Sequence, residues 1–274
     1  LLKGLTLLQI HHPTTPLCQF IHFFWAWDNY APPHPKERIL PFGMMELNIT
    51  LSHHPYVMMY PHDDFCPHPI HHAIVSGARS EFFVVDTSYP ASLLSVWFKA
   101  GGALRFFGVS ASELHNLHIP LHDLWGNDAH ELYDRLYTAK TTNARFELLE
   151  HFLLRRLNRT LPRHRAIDLS LPYLHDGDDI RRMVNQLALS PTRFIQLFKE
   201  EIGMAPKHYS QIQRFQRAVQ MIAHTPNPNW TDIALACGYY DQSHFINTFQ
   251  RFAGISPSQY VPQDKDHSSN LAMG

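Results

Sequence analysis

Between residues 18 and 100 apolar and polar side chains trade places with period two. Met45, Leu47, Ile49 and Leu51 alternate with Glu46, Asn48 and Thr50, which predicts a strand with one buried face. Similar runs predict strands at 20–27, 56–60, 73–76, 82–86 and 93–98, separated by clusters of Pro, Gly, Asp and His. Short strands at this spacing imply a small β-barrel or sandwich. From residue 101 the period lengthens. Leu104 and Phe107 before Gly108 predict a short helix, and Ser110 or Ser112 can cap a following turn with Glu113 inside it. Leu132, Tyr133 and Leu136, then Phe146, Leu149, Phe152, Leu153 and Leu157, have three-and-four spacing and predict two longer helices ending near residue 160.

The rear of the chain repeats itself. Ser190, Phe194, Phe198, Gly203, Pro206 and Tyr209 recur 51 residues later as Asp241, Phe245, Phe249, Gly254, Pro257 and Tyr260. Each copy reads as a capped helix start, an apolar Phe stripe, a stopping glycine and a proline that opens the next element. Ile180, Met183, Val184 and Leu187 predict a short helix before the first copy, with a turn at Ala188-Leu189. Ile233, Ala234 and Cys237 do the same before the second, with a turn at Gly238-Tyr239-Tyr240. Two helix-turn-helix units in tandem are the result, and DNA is the partner such units fit. Facing outward on the two second helices are Thr192, Arg193, Ile195, Gln196 and Lys199, then Gln242, Ser243, His244, Ile246 and Asn247. Gln and Asn can bond adenine bidentately, Ser and His can bond base or phosphate, and Ile can meet a thymine methyl. From Pro206 to about His224 a helix joins the units; at about 1.5 Å per residue it is a rod of roughly 27 Å, suited to grooves one turn, about 34 Å, apart.

The segments ALSPTRFIQLFKEEIGMAPKHY, RFQRA and WTDIALACGYYDQSHFINTFQRFAGISPSQY, within residues 163–262, closely resemble the AraC/XylS-type transcription regulators. That resemblance implies groove-reading roles for Thr192, Ile195 and Gln196 in the first unit and for Gln242, Ser243, His244 and Asn247 in the second. It also assigns Arg214 to tying the long helix to both units, where spacing alone reads a solvated arginine. Departures are Ala188, where glycine is common, Val184, where a small residue is common, and Asn247, where arginine is common. The front half, through Tyr30–Gly43, GALRFFGVSASEL and PLHDLWG, looks more loosely like the cupin-like sensor half of one subgroup. The resemblance then implies an effector-sensing or dimerising domain over 1–160, a linker and support helix over 161–177, the tandem units over 178–262, and a polar tail over 263–274. The expected fold class is α+β, a small barrel followed by helices and then an all-α domain.

Composition narrows the picture further. Hydrophobic residues make up 45% and aromatics 12% of 274, as in a folded globular protein. Residues 1–160 hold 12 basic and 14 acidic side chains and residues 161–262 hold 10 and 8, so bulk charge does not bind this chain to nucleic acid; placement must. Cys18, Cys66 and Cys237 are far apart and without a C-x-x-C pair, which argues against a disulfide framework or zinc ribbon. No apolar run approaches a membrane span, the first ten residues lack a small-residue cleavage site, and a bacterial-type cytoplasmic protein is expected.

Two features of the front half bear on ligands. Trp25, Trp27, Phe83 and Trp97, with Phe23, can line an effector chamber or fill a core. His53, His54, His62, His68, His71 and His72 lie near Asp63, Asp64 and Cys66; His62, Asp64, Cys66 and His68 are the candidate metal set, against the reading of unattached loop histidines. The leading function is a non-enzymatic, sequence-specific regulator that needs no cofactor. Its expected partners are an operator duplex, a small-molecule effector, a second copy through the front domain and RNA polymerase. The alternative is a cupin-type metal enzyme or metal sensor addressed to DNA.

Overall fold

The computed structural model describes residues 8–70, 72–161, 164–176, 184, 189–261 and 269–273. Its front half is built from strands β1 (Gln9–His11), β2 (Ile21–Tyr30), β3 (Lys36–Ile39), β4 (Glu46–Thr50), β5 (Tyr56–Met59), β6 (His68–Ile70), β7 (Ala73–Ser76), β8 (Phe83–Asp86), β9 (Ala91–Phe98) and β10 (His118–Pro120), joined by β11 (Asn270–Met273) from the far end of the chain. They form a six-stranded sheet in the order β1-β2-β9-β4-β7-β10 and a five-stranded sheet in the order β11-β3-β8-β5-β6, with antiparallel pairing between neighbours. The expected small barrel or sandwich is built as two separate sheets that do not close into one ring. The space between them is lined from both sides.

The strands with clean alternation lie where the pattern puts them. β3 and β11 do not follow it. In Lys36-Glu37-Arg38 the inward side chain is the acid: Glu37 is 2% exposed and accepts hydrogen bonds from Tyr30 Oη and Asn270 Nδ2, with His34 Nε2 at 2.8 Å. A polar residue facing in hides a strand from a hydrophobic reading. The tail expected to be polar ends as β11, which buries Leu271 and pairs its full length with β3.

Helices follow as α1 (Leu104–Phe107), α2 (Leu121–Trp125), α3 (Asn127–Thr138), α4 (Thr142–Arg156), α5 (Arg165–Asp176), α6 (Pro191–Ile202), α7 (Pro206–His224), α8 (Trp230–Ala236) and α9 (Gln242–Ala253). α1 ends at Gly108 with φ +73°, and Ser110 and Glu113 close the expected capping box. β2 is apolar on both faces because it serves two layers: Trp25 and Trp27 line the space between the sheets, while Phe24 packs on Phe146 of α4 with ring centroids 6.2 Å apart. Pro172 lies inside α5, which continues past it at the loss of one backbone hydrogen bond.

One buried cluster runs from the sheets into the rear helices, taking in Leu47, Phe98, Phe106, Leu149, Phe198, Phe215 and Phe249. Arg105 of α1, 1% exposed, crosses to the rear half, where Nη1 and Nη2 both reach Glu201 Oε2 of α6 at 3.3 Å. The same guanidinium donates to the carbonyls of Gly101 and Leu161, and Glu201 Oε1 accepts the His164 backbone N–H at 3.0 Å. A buried pair with this many extra partners is costly to break from one side. Arg105→Ala is expected to lower unfolding free energy by about 3–5 kcal/mol; a denaturant melt showing less than about 1 kcal/mol would mean that the pair is not holding the halves together.

Candidate nucleic-acid interface and sensor cavity

The reading helices begin and end as their repeated letters require. Ser190 Oγ accepts the Arg193 N–H at 3.2 Å, and Asp241 Oδ1 accepts the His244 N–H at 2.7 Å. Both helices stop at left-handed glycines, Gly203 at φ +98° and Gly254 at φ +67°. Phe194, Leu197 and Phe198, and Phe245 and Phe249, turn into the core. Of the first unit's leading helix only Val184 lies within the described residues, helical and buried; Ile180, Met183, Leu187 and Ala188 lie outside them.

The outward set is at the surface. Thr192, Arg193, Ile195, Gln196 and Lys199 are exposed on α6, and Gln242, Ser243, His244 and Asn247 are exposed on α9. Ile246 is a correction: it is half-buried and packs on the core. Local bonds orient some of these side chains. Thr231 Oγ1 donates to Gln242 Oε1 at 2.9 Å, and the Tyr240 N–H donates to His244 Nδ1 at 3.4 Å. Arg193 lies 3.6 Å from Glu200, an exposed pair that a phosphate can compete for. Tyr240, 87% exposed just before the cap of α9, is a contact candidate that the residue pattern marks only as turn.

The front half touches both reading helices at the opposite end. A Cβ on Gly203 would lie 3.0 Å from the Ala111 carbonyl oxygen and 3.2 Å from Ala78 Cβ; one on Gly254 would lie 2.4 Å from Phe82 Cε1. Ala78 and Phe82 belong to the single connection between β7 and β8. Arg38 of β3 reinforces the second contact, donating to the Ala253 carbonyl at 2.8 Å with its guanidinium over the Phe82 ring. Arg214 of α7 lies over the Tyr239 ring at 5.6 Å, beside the turn of the second unit.

Between the sheets is a cavity of about 90 Å³ whose walls include Trp25, Trp27, Phe83 and Trp97, the four aromatic residues expected there. Phe23 stacks behind Trp97 at 5.2 Å instead of lining it. Glu46 also lines it, and burial pushes this carboxyl up to about 7, with the Asn48 amide at 3.1 Å pulling the other way. The polar chain continues from Asn48 to Ser76 and on to His118, whose burial drives its pKa down to about 3. Phe42 connects this cavity to the rod: its ring meets Trp97 at 5.1 Å and its carbonyl accepts Gln213 Nε2 of α7 at 3.1 Å. The Pro41 carbonyl accepts Gln216 Nε2 at 2.6 Å.

The metal candidates divide. Asp63, Cys66 and His68 bring one ligand atom each within 4.8 Å of one another, all exposed, and His68 Nε2 lies 2.5 Å from Asp63 Oδ2. Asp64, whose backbone is left-handed at φ +47°, is not in that group, and His62 faces Glu81 at 3.3 Å. His71 lies outside the described residues.

Comparison with known proteins separates the halves in the same way. Residues 183–263 match a helix-turn-helix domain family, and residues 9–120 match a domain family of unknown function. The arabinose operon regulatory protein of Escherichia coli is 29% identical over 136 residues, covering 46% of each chain. A probable transcriptional regulator, LumQ of Photobacterium leiognathi, is 36% identical over 72 residues, 26% of this chain and 29% of its own. The chain spans about half or less of the length of these relatives. Among solved structures, ToxT from Vibrio cholerae aligns over 86% of this chain and 97% of its own at 12% identity with a TM-score of 0.49.

Gly108 and Gly254, which share a left-handed backbone, separate packing from conformation. Gly108→Ala, with nothing within 4 Å, is expected to cost about 1–2 kcal/mol. Gly254→Ala must also displace Phe82 and is expected to cost roughly 2–4 kcal/mol. Equal losses in a urea melt would show that the front half does not bear on that helix end.

Proposed function

We propose that this chain, whose rear part is an AraC/XylS-type helix-turn-helix domain, is a sequence-specific DNA-binding transcription regulator that reads two successive major grooves. The observation that carries the reading is the matched exposure of α6 and α9: their first turns are open and polar while their ends are packed against the front half. Thr192, Ile195 and Gln196, and Gln242, Ser243, His244 and Asn247, are the base-edge candidates; Arg193, Lys199 and Tyr240 are placed for phosphate. With few cations on the face, polar readout and DNA shape carry the specificity.

The front half supplies control. An occupant between the sheets presses on Trp97 and Phe42, and the Pro41–Phe42 carbonyls hold α7 through Gln216 and Gln213. A Cβ on Gly43 would lie 3.5 Å from the side chains of Ile212 and Tyr209 on the same helix. Occupancy can thus shift the rod that sets the distance between the reading helices. Dimerisation through the front half and contact with RNA polymerase rest on the family resemblance, and a cytoplasmic location on the sequence reading; among the described residues no helix is long and apolar enough to cross a membrane. Toward the metal-enzyme alternative the cavity offers the carboxylates Glu37, Glu46 and Asp86 but, among the described residues, no lining imidazole or thiolate.

Replacing Gln196, Gln242 and His244 together by alanine leaves the buried stripes intact. At about 1–3 kcal/mol per lost base contact, specific affinity is expected to fall at least 100-fold in a gel shift on the DNA upstream of its own coding region. Nanomolar binding that survives all three changes would refute these contacts.

A further inference from the structure

Among the described residues, three carboxylates line the cavity between the sheets, Glu37 on β3, Glu46 on β4 and Asp86 at the end of β8, and no Lys, Arg or His does. The remaining wall is largely aromatic. Trp25 and Trp27 meet edge to face at 5.1 Å, Trp27 stacks flat on Tyr30 at 4.2 Å, and Phe42 tilts against Trp97 at 5.1 Å. Ring faces are electrostatically negative, so rings and acids favour the same kind of guest.

The two deep acids differ in how far the protein already satisfies them. Glu37 has Tyr30, His34 and Asn270 around it. Glu46 has the Asn48 amide, which it shares with Ser76 Oγ. Burial raises its pKa to about 7, the mark of a carboxylate whose charge lacks a counterpart. On the same wall the buried Trp97 indole N–H meets no protein acceptor. At about 90 Å³ the space is smaller than the roughly 150 Å³ that admits benzene, and so suits a headgroup of about four non-hydrogen atoms. The lining reaches the surface at Tyr89, where a longer tail can leave.

We propose that this cavity binds a small organic cation, a substituted ammonium whose charge sits against Glu46 and whose methyl groups lie on Trp25, Trp27 and Trp97. A hydroxyl on the ligand answers the free Trp97 N–H. The proposal rests on reading the cavity as the effector site, and it names the class of effector: a headgroup such as that of choline, not a carboxylic acid and not a neutral alcohol.

Three probes of similar size separate these classes on the intact chain: choline, its uncharged carbon counterpart 3,3-dimethylbutan-1-ol, and isobutyrate. Tryptophan fluorescence reports entry and calorimetry gives affinity. Choline is expected to bind at least about tenfold more tightly than the alcohol, with isobutyrate weakest. Glu46→Gln is expected to collapse that preference for choline over the alcohol, and Trp27→Leu to weaken choline as an independent check. Equal or tighter binding of the alcohol or of isobutyrate overturns the cation assignment and leaves the effector site standing. No response to any probe overturns both, while the gel shift still judges DNA binding on its own.

Discussion

The arrangement depends on contact at two helix ends. Gly203 and Gly254 occupy matching places in the repeat, both take a left-handed backbone, and both abut the front half through one connection, at Ala78 and Phe82. A side chain at Gly254 would collide with Phe82, and the tight approach at Gly203 is to backbone, so the contact exists only because glycine leaves room. What a helix-turn-helix needs for its own C-terminal stop thus doubles as a docking point. One loop lies beside both helix ends, at Ala78 and Phe82, with Ala111 completing the contact at Gly203.

That docking explains how two halves of opposite character share a core. The Arg105–Glu201 pair reaches from α1 into α6, and Gln213 and Gln216 hang α7 on the carbonyls of residues 41 and 42. Phe42 belongs to both systems, since it lines the cavity and carries one of those carbonyls. A guest between the sheets therefore meets the rod through one residue, with no long relay. Glu46 adds a carboxyl whose ionised form burial disfavours, and the proposed guest would change the electrostatics of this wall by compensating it.

The rear units were readable because the caps and stops of the repeat act on their immediate neighbours. Ser190 and Asp241 cap, the phenylalanines fill, and glycine stops. Local rules survive folding when the partner is a few residues away. Where the partner is distant the reading thins. β3 is not among the predicted strands because the partners of its inward Glu37 come from residues 30, 34 and 270, and β11 looks like tail because its pairing strand is at the other end of the chain. Arg105 reads as an ordinary helix arginine, its acid being 96 residues away. The four aromatics at the cavity were legible as a set, but whether they enclose space is decided by the second sheet. Among the loop histidines, proximity in number does not say which acid a ring meets: His68 lies beside Asp63, and Cys66 and His68 of the candidate set come together with Asp63.

Hydroxyl-radical footprinting of the intact chain on its operator tests most directly whether the duplicated reader engages DNA with both helices. Two protected windows on one face of the duplex, centred about 10–10.5 base pairs apart, are expected from recognition helices in successive major grooves. A single window, or two windows on opposite faces, would contradict it.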